Sequence, residues 1–165
     1  MDLRTVQRPL KERYRKDAEA ARITLRATSS AGDNPVACSV DIGRAIYEAQ
    51  AHAGVGGPGT AACSGDLLLG ALGACAQVTC QMVAAAMGIE VRDVKVEVEG
   101  ELDLRGTLGL APDVPVGFDR ISTTFSIDAP AATPEQLESL RDKTERYCVV
   151  FQTLTRPPRL ETRWS

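Results

Sequence analysis

The feature that most constrains the fold of this chain is a long stretch without charged residues, from Leu67 to Ile89. Ser64 is suited to cap a helix that begins there, and Asp66 suits the positive end of a helix dipole. Gly88 is suited to end the helix, because glycine readily adopts the left-handed conformation of a helix stop. The sequence therefore predicts one long apolar helix between these caps.

Two environments suit such a helix. A run of this length can span a bilayer, but it is dominated by Ala and Gly, it contains Gln77, Thr79 and Gln81, and it lacks basic flanks. A helix that is apolar on all sides is more simply the central helix of a globular core, or of a dimer that buries it from both sides. We therefore expect a core helix and no membrane association.

Alternating apolar and polar residues on both sides of this helix predict β-strands. The predicted strands lie at residues 22–27, 36–42 and 45–51 before the helix, and at 94–104 and 121–127 after it. In the fourth of these, valine and leucine alternate with charged residues, which is typical of an antiparallel strand with one wet face.

A second helix is predicted to begin at Pro134. Thr133 supplies the cap, proline takes the first helical position, and Gln136 completes a capping box. The apolar spacing continues to Cys148, which places this cysteine on the buried stripe of the helix. The prolines that follow end the helix, and a last strand is predicted at residues 160–164.

The order of these elements predicts an α+β fold with antiparallel sheets around the long helix. A chain of 165 residues is long enough for one domain with a core and too short for two comfortable ones. We therefore expect a single domain over residues 1–165, in which residues 1–20 form an N-terminal arm.

Charge and cysteine usage limit the partners and the compartment. The net charge is −3 and no long run of like charges occurs, so nucleic acid is not an expected partner. The charged N-terminus lacks the apolar segment of a secretory signal. Five cysteines form none of the short paired spacings of a zinc site. We expect a cytoplasmic protein whose cysteines act as thiols.

The five cysteines have different surroundings. Cys38 is in phase with the apolar positions of a strand, and Cys63 precedes the long helix. Cys75 and Cys80 lie on that helix about 140° apart around its axis, so they face different ways. Cys148 lies far along the chain, on the second helix. The residue pattern alone leaves each of them open as a buried packing group or as a nucleophile.

The single histidine, His52, lies in a glycine-rich region. A surface position is the simplest interpretation, and the alternative is a Cys-His pair with Cys75, as in a thiol hydrolase. With one histidine, a metal site would need thiolates and carboxylates, and no spacing supports one. We expect neither a metal nor a bound cofactor.

Two segments, taken together and in this order, resemble the OsmC/Ohr family (osmotically inducible protein C and organic hydroperoxide resistance proteins). The first is the apolar segment SGDLLLGALGAC at residues 64–75, which carries Cys75 on the predicted long helix. The second is ERYCVV at residues 145–150, which carries Cys148 at the far end of the next helix. The resemblance extends from about Ala21 to the end of the chain.

The resemblance implies an intertwined homodimer with the long helices at its centre and two active sites at the subunit interface. In this pattern Cys75 matches the peroxidatic cysteine and Cys148 the resolving cysteine. The family's antioxidant chemistry is the reduction of a small-molecule hydroperoxide, during which the two thiols become a disulfide that an external dithiol reduces. An apolar pocket around the pair would favour organic hydroperoxides over hydrogen peroxide.

The chain departs from the family pattern around the first cysteine. The family's Glu, nine or ten residues earlier, holds an Arg that polarises the thiolate; here those positions are Gly65 and Asp66. Asp66 either serves in this role or only caps the helix. The family's Arg has no match, and Arg22, Arg26 and Arg44 are the substitutes. The departure keeps a second function open, a family-fold protein that binds a small apolar or electrophilic ligand with little turnover.

Overall fold

The long apolar helix is α2, which spans Ser64–Ala86 in the computed structural model. Its N-cap is Cys63, so the predicted cap at Ser64 is wrong by one residue. The Cys63 backbone is extended, and its N–H donates to Oδ2 of Asp66 at 2.7 Å, which closes a capping box. Gly88, with φ of 68°, follows the end of the helix as predicted.

The structure describes only part of the chain, and the backbone alone for some of it. The described residues are 3–31, 38–41, 51–57, 59 and 62–164, and among them only the backbone is described for 3–7, 24–31 and 38–41.

The described strands form one antiparallel sheet with the order β2-β1-β3-β4. This confirms the prediction of an α+β fold with antiparallel sheet. The strand predicted at 45–51 lies almost wholly outside the described residues. The four strands are β1 at Arg22–Ala31, β2 at Cys38–Asp41, β3 at Asp93–Asp103 and β4 at Arg120–Asp128.

One face of β3 packs against α2 and forms the core. Val94, Val96 and Val98 are at most 2% exposed, whereas the residues between them face outward. They belong to the same apolar cluster as Leu69 and Leu72 of α2. Burial of each valine contributes roughly 1.5–3 kcal/mol, so this strand and helix stabilise each other.

The remaining helices surround this layer. Tyr14 of the first helix is buried and donates a hydrogen bond from its hydroxyl to the Gly54 carbonyl at 2.6 Å, which ties the N-terminal arm to the domain. The helices are α1 at Leu3–Lys16, α3 at Leu104–Thr107, α4 at Pro134–Tyr147 and α5 at Val149–Thr155, and short 3-10 turns span Glu19–Ala21 and Ala53–Val55.

Helix α2 is long and apolar enough to cross a membrane, as are the central helices of many globular cores. Here it contacts β1, β2 and β3 as well as α4 and α5. Contacts of this kind, to a sheet and to two further helices, are those of a core helix.

Two predictions for the C-terminal region are wrong. No strand forms at residues 160–164, where Leu160 and Trp164 are 84% and 93% exposed. A strand needs a hydrogen-bonded neighbour, and none of the described strands pairs with this segment. The second helix also ends one residue early, because α4 stops at Tyr147 and Cys148 lies between two helices.

Candidate active site

Cys148 occupies a break in the chain between α4 and α5. Its backbone is extended, with φ of −70° and ψ of 107°, so it ends one helix and starts the next. Its N–H donates to the Thr144 carbonyl at 2.9 Å, and its carbonyl accepts from the Gln152 N–H at 2.9 Å. Because both backbone groups are satisfied, Cys148 can be buried, with only 1% of the residue exposed.

The break brings the side chain of Cys148 against that of Cys75 on α2. Burial raises the pKa of the Cys148 thiol to about 11, and hydrogen bonding and charge interaction with Cys75 add to the rise. Cys148 therefore keeps its proton at neutral pH and can donate it toward the Cys75 sulfur. Two cysteines that are far apart in sequence thus meet in space.

Cys75 is less buried than Cys148 and has a hydroxyl beside it. Its Sγ lies 4.0 Å from Oγ1 of Thr79, one turn further along α2. Other helical threonines, Thr144, Thr153 and Thr155, donate to the carbonyl four residues earlier. Thr79 instead has a sulfur as its neighbour, so its hydroxyl is a second donor available to a Cys75 thiolate.

A cavity of about 500 Å³ opens on the Cys148 side of the pair. We refer to it as the Cys148 cavity. Its walls come from β4, α2 and α4, and Cys75 is not among the residues that line it. The apolar pocket predicted around the pair therefore borders Cys148 only. The lining includes Leu72, Ala76, Cys80, Ile121, Phe125, Arg141, Glu145 and Cys148.

Cys80 faces another side of α2 from Cys75, as the helical spacing predicts, and Cys63 lies before α2 as its N-cap. Cys80 is 1% exposed and lines the Cys148 cavity, and burial raises its pKa despite a hydrogen bond with Thr144. Burial likewise raises the pKa of Cys63, whose side chain accepts the Asp66 N–H as part of the helix cap. Both thiols stay protonated at neutral pH, and neither is placed as Cys75 is.

Two of the predicted supporting residues, Asp66 and Arg22, have partners other than the two thiols. Asp66 is bonded to the Cys63 N–H, and it lies nine residues, or roughly 13 Å along the helix axis, before Cys75. The Arg22 guanidinium lies 3.4 Å from the Asp119 carboxylate. Arg26 lies opposite Glu99 in the β1–β3 ladder, on the face of the sheet that does not pack on α2. Arg44 is outside the described residues.

His52 lies beside a different cysteine from the one considered in the sequence. Its Nδ1 accepts the Gly54 N–H at 2.9 Å, and it lines a cavity of about 600 Å³ with Cys63 rather than Cys75. This placement does not support a hydrolase that pairs His52 with Cys75. Among the described residues, no group of three or more His, Cys, Asp or Glu side chains could hold a metal ion.

Three features of the site were missed in the sequence. One is the break at Cys148, where the helical spacing continues without interruption. The other two have signals that sequence reasoning can find: Thr79 lies one turn after Cys75, and Arg141 lies two turns before Cys148. The spacing of four residues places Thr79 on the face of α2 that carries Cys75.

Comparison with known proteins gives a family match that covers both cysteines and the helices α2 and α4. The family described as OsmC-like protein matches residues 57–163, which include α2, Cys75, α4 and Cys148. No curated protein matches the chain. Since the family match covers more than half of the chain and carries both cysteine motifs, the chain belongs to the OsmC-like protein family.

Proposed function

We propose that the protein is a thiol-dependent peroxidase that reduces organic hydroperoxides, with Cys75 as the peroxidatic and Cys148 as the resolving cysteine. The observation that carries the proposal is the direct interaction of these two thiols across α2 and the α4–α5 break. Membership of a family that includes peroxiredoxin-like proteins supports it. We further propose a cytoplasmic homodimer that draws electrons from an external dithiol and needs no bound cofactor.

The reaction requires one nucleophile and one resolving thiol. The Cys75 thiolate attacks an oxygen of the hydroperoxide, the O–O bond breaks, and the alcohol leaves with a proton. The resulting sulfenic acid condenses with the Cys148 thiol, which forms the disulfide and releases water. One hydroperoxide is thus reduced to an alcohol and water while two thiols are oxidised.

The thiolate must be stabilised against the cost of burying its charge. Among the residues whose side chains are described, the Cys148 thiol and the Thr79 hydroxyl lie beside Cys75 as neutral donors. A guanidinium would add a charged donor, and Arg22, Arg26 and Arg44 of a second subunit are our candidates. Arg26 lies opposite Glu99 on the sheet face away from α2, and Arg22 is paired with Asp119, so we assign this role to the second subunit.

Substitution of the two cysteines tests the proposal. With dithiothreitol as reductant, Cys75→Ser should abolish consumption of cumene hydroperoxide. Cys148→Ser should permit one turnover and leave Cys75 open to sulfinic and sulfonic acid formation, because no thiol resolves the sulfenic acid. Cys63→Ser is the matched control and should keep full activity, since serine also caps helices. Equal loss in all three variants, or no consumption by the wild type, would overturn the proposal.

A second function is favoured by the Cys148 cavity. Its size and largely apolar walls match those of sites that bind small apolar ligands. If the wild type consumes neither cumene hydroperoxide nor hydrogen peroxide but binds a small apolar or electrophilic compound, the protein is a binder. A Phe125→Ala change should then weaken binding, whereas it should leave the reaction of Cys75 with peroxide intact in an enzyme.

A further inference from the structure

Cys148 has two different neighbours on its two sides. Its thiol interacts with Cys75, and its other side forms part of the wall of the Cys148 cavity. Cys75 is not among the lining residues of that cavity. A molecule in the cavity therefore contacts Cys148 and not Cys75.

We propose that the Cys148 cavity is the docking site of the dithiol reductant, and that the incoming thiolate attacks Sγ of Cys148 and releases Cys75. This rests on the proposed function, because it concerns the disulfide that peroxide reduction forms. The hydroperoxide and the dithiol then approach the Cys75–Cys148 pair from opposite sides. The hydroperoxide reaches the half-buried Cys75, and the reductant reaches Cys148 from the cavity.

Reduction of the disulfide takes place in two successive thiol–disulfide exchange steps. The first reductant thiolate bonds to Sγ of Cys148 while the Cys75–Cys148 bond breaks, and the electron pair leaves on Cys75. The second reductant thiol then displaces Cys148 and closes the reductant's own disulfide. The two protons of the dithiol end on Cys75 and Cys148, and both cysteines are again reduced.

The direction of attack also agrees with leaving-group chemistry. Exchange is faster when the departing thiol has the lower pKa. The pKa of Cys148 is raised to about 11 by burial, so Cys148 is a poor leaving group. Attack on Cys148, with Cys75 departing, avoids the release of that thiolate in the first step.

The shape of the cavity indicates the kind of reductant. Cys148 is 1% exposed, so a flat protein surface cannot bring a thiol onto its sulfur. A cavity of about 500 Å³ with apolar walls accepts a dithiol carried on a narrow, largely apolar chain. We therefore assign the site to a small-molecule or chain-borne dithiol and not to a thiol fixed on a protein surface.

The position of the mixed disulfide tests the direction of attack. The Cys75–Cys148 disulfide is formed with diamide, exposed briefly to 2-mercaptoethanol, and quenched with acid, which stops exchange by protonating thiolates. Trypsin separates the two cysteines, because Cys148 falls in residues 147–159 and Cys75 in residues 45–92. We expect most of the 2-mercaptoethanol adduct on the 147–159 peptide. A majority on the 45–92 peptide would overturn the proposal.

A bulky residue in the cavity tests the docking site. Thr123 lines the cavity, whereas its neighbour Ser122 is equally half-buried and does not. Thr123→Trp should slow reduction of the preformed disulfide by dihydrolipoamide about tenfold or more, equivalent to roughly 1.4 kcal/mol of barrier. Ser122→Trp should leave the rate within a factor of about two. Equal rates in the two variants would overturn the assignment of the cavity.

These experiments are independent of the peroxidase proposal. Diamide forms the disulfide without peroxide, so the adduct position and the Thr123→Trp effect can be measured even if hydroperoxides are not consumed. If Cys75 does not react in the peroxide assay, the proposed peroxidase function is wrong. If 2-mercaptoethanol attacks Cys75, or if Thr123→Trp leaves the reduction rate unaffected, the cavity is not the docking site of the reductant.

Discussion

At the scale of single residues, the site depends on a cysteine that belongs to neither of the helices it joins. Cys148 uses its backbone N–H and carbonyl to close the hydrogen-bond patterns of both helices. Its side chain is therefore free to turn inward toward Cys75 at no backbone cost. Burial then keeps the thiol protonated, which suits the proposed role of Cys148 as a donor to a thiolate that later condenses with a sulfenic acid.

The raised pKa of Cys148 predicts a pH dependence of stability. A pKa raised in the folded state contributes stability that is present below the unfolded value and lost as the pH rises through the folded value. The free energy of unfolding should therefore fall between pH about 9 and about 11, by roughly 2–3 kcal/mol from this residue. Urea denaturation under reducing conditions, at neutral pH and inside this window, measures the loss.

The control for this measurement is Cys148→Ala. Burial also raises the pKa of Cys63 and Cys80, so the variant should retain their share of the pH dependence and lose only that of Cys148. An identical pH dependence in wild type and variant would show that the Cys148 thiol titrates normally in the folded protein.

Some residues of the site could be predicted from the sequence, and the reason is local geometry. The different directions of Cys75 and Cys80 follow from helical periodicity, and the structure confirms them. The contact between Cys75 and Cys148 came from the family resemblance instead. Periodicity fixes directions around one helix axis, but it contains no information on how two helices pack.

At the scale of elements, the start of α2 shows how a residue can have either of two roles. Asp66 is the third residue of the helix, and its carboxylate accepts the Cys63 N–H at 2.7 Å. It therefore acts as a cap in this chain. A carboxylate has two oxygens, so Oδ1 of Asp66 is the atom that an arginine would use.

We expect Asp66→Ala to lower the free energy of unfolding by about 1 kcal/mol, because it removes half of the capping box. Peroxide reduction by the folded fraction should be unchanged. Glu90→Ala, an exposed carboxylate beyond the other end of α2, is the control and should change stability by less than about 0.5 kcal/mol. A loss of activity without a loss of stability would mean that Asp66 acts at the active site.

The elements that sequence reasoning missed share a physical cause. The strand predicted at 160–164 has a suitable pattern, but a strand exists only with a hydrogen-bonded neighbour, which a local pattern does not contain. The break before α5 is similar, because Cys148 and the residues after it continue the helical spacing. In contrast, the prediction of β3 is close to the observed strand, because its apolar residues are the buried ones and its charged residues face outward.

At the scale of the whole molecule, the described chain leaves apolar side chains uncovered on α2 and near the site. Leu68 and Met82 of α2 are 38% and 52% exposed, and Tyr147 and Val149 beside Cys148 are 56% and 70% exposed. Trp164 is 93% exposed. Single exposed apolar residues are common, but exposure on a helix this apolar is what a subunit interface would cover.

We therefore expect a dimer at micromolar concentration, with a sedimentation mass of about twice the 17.6 kDa of the chain. Met82→Lys should shift the protein toward monomer, because a charge would be buried at the interface without a partner. Ala131→Lys, in an exposed turn before α4, is the control and should stay dimeric.

If Arg22, Arg26 or Arg44 of the second subunit supplies the cation for Cys75, the Met82→Lys monomer should also lose peroxide reduction while keeping its fold. A wild type that sediments as a monomer would overturn both the dimer and this source of the cation, and would leave Thr79 and Cys148 as the described donors beside Cys75.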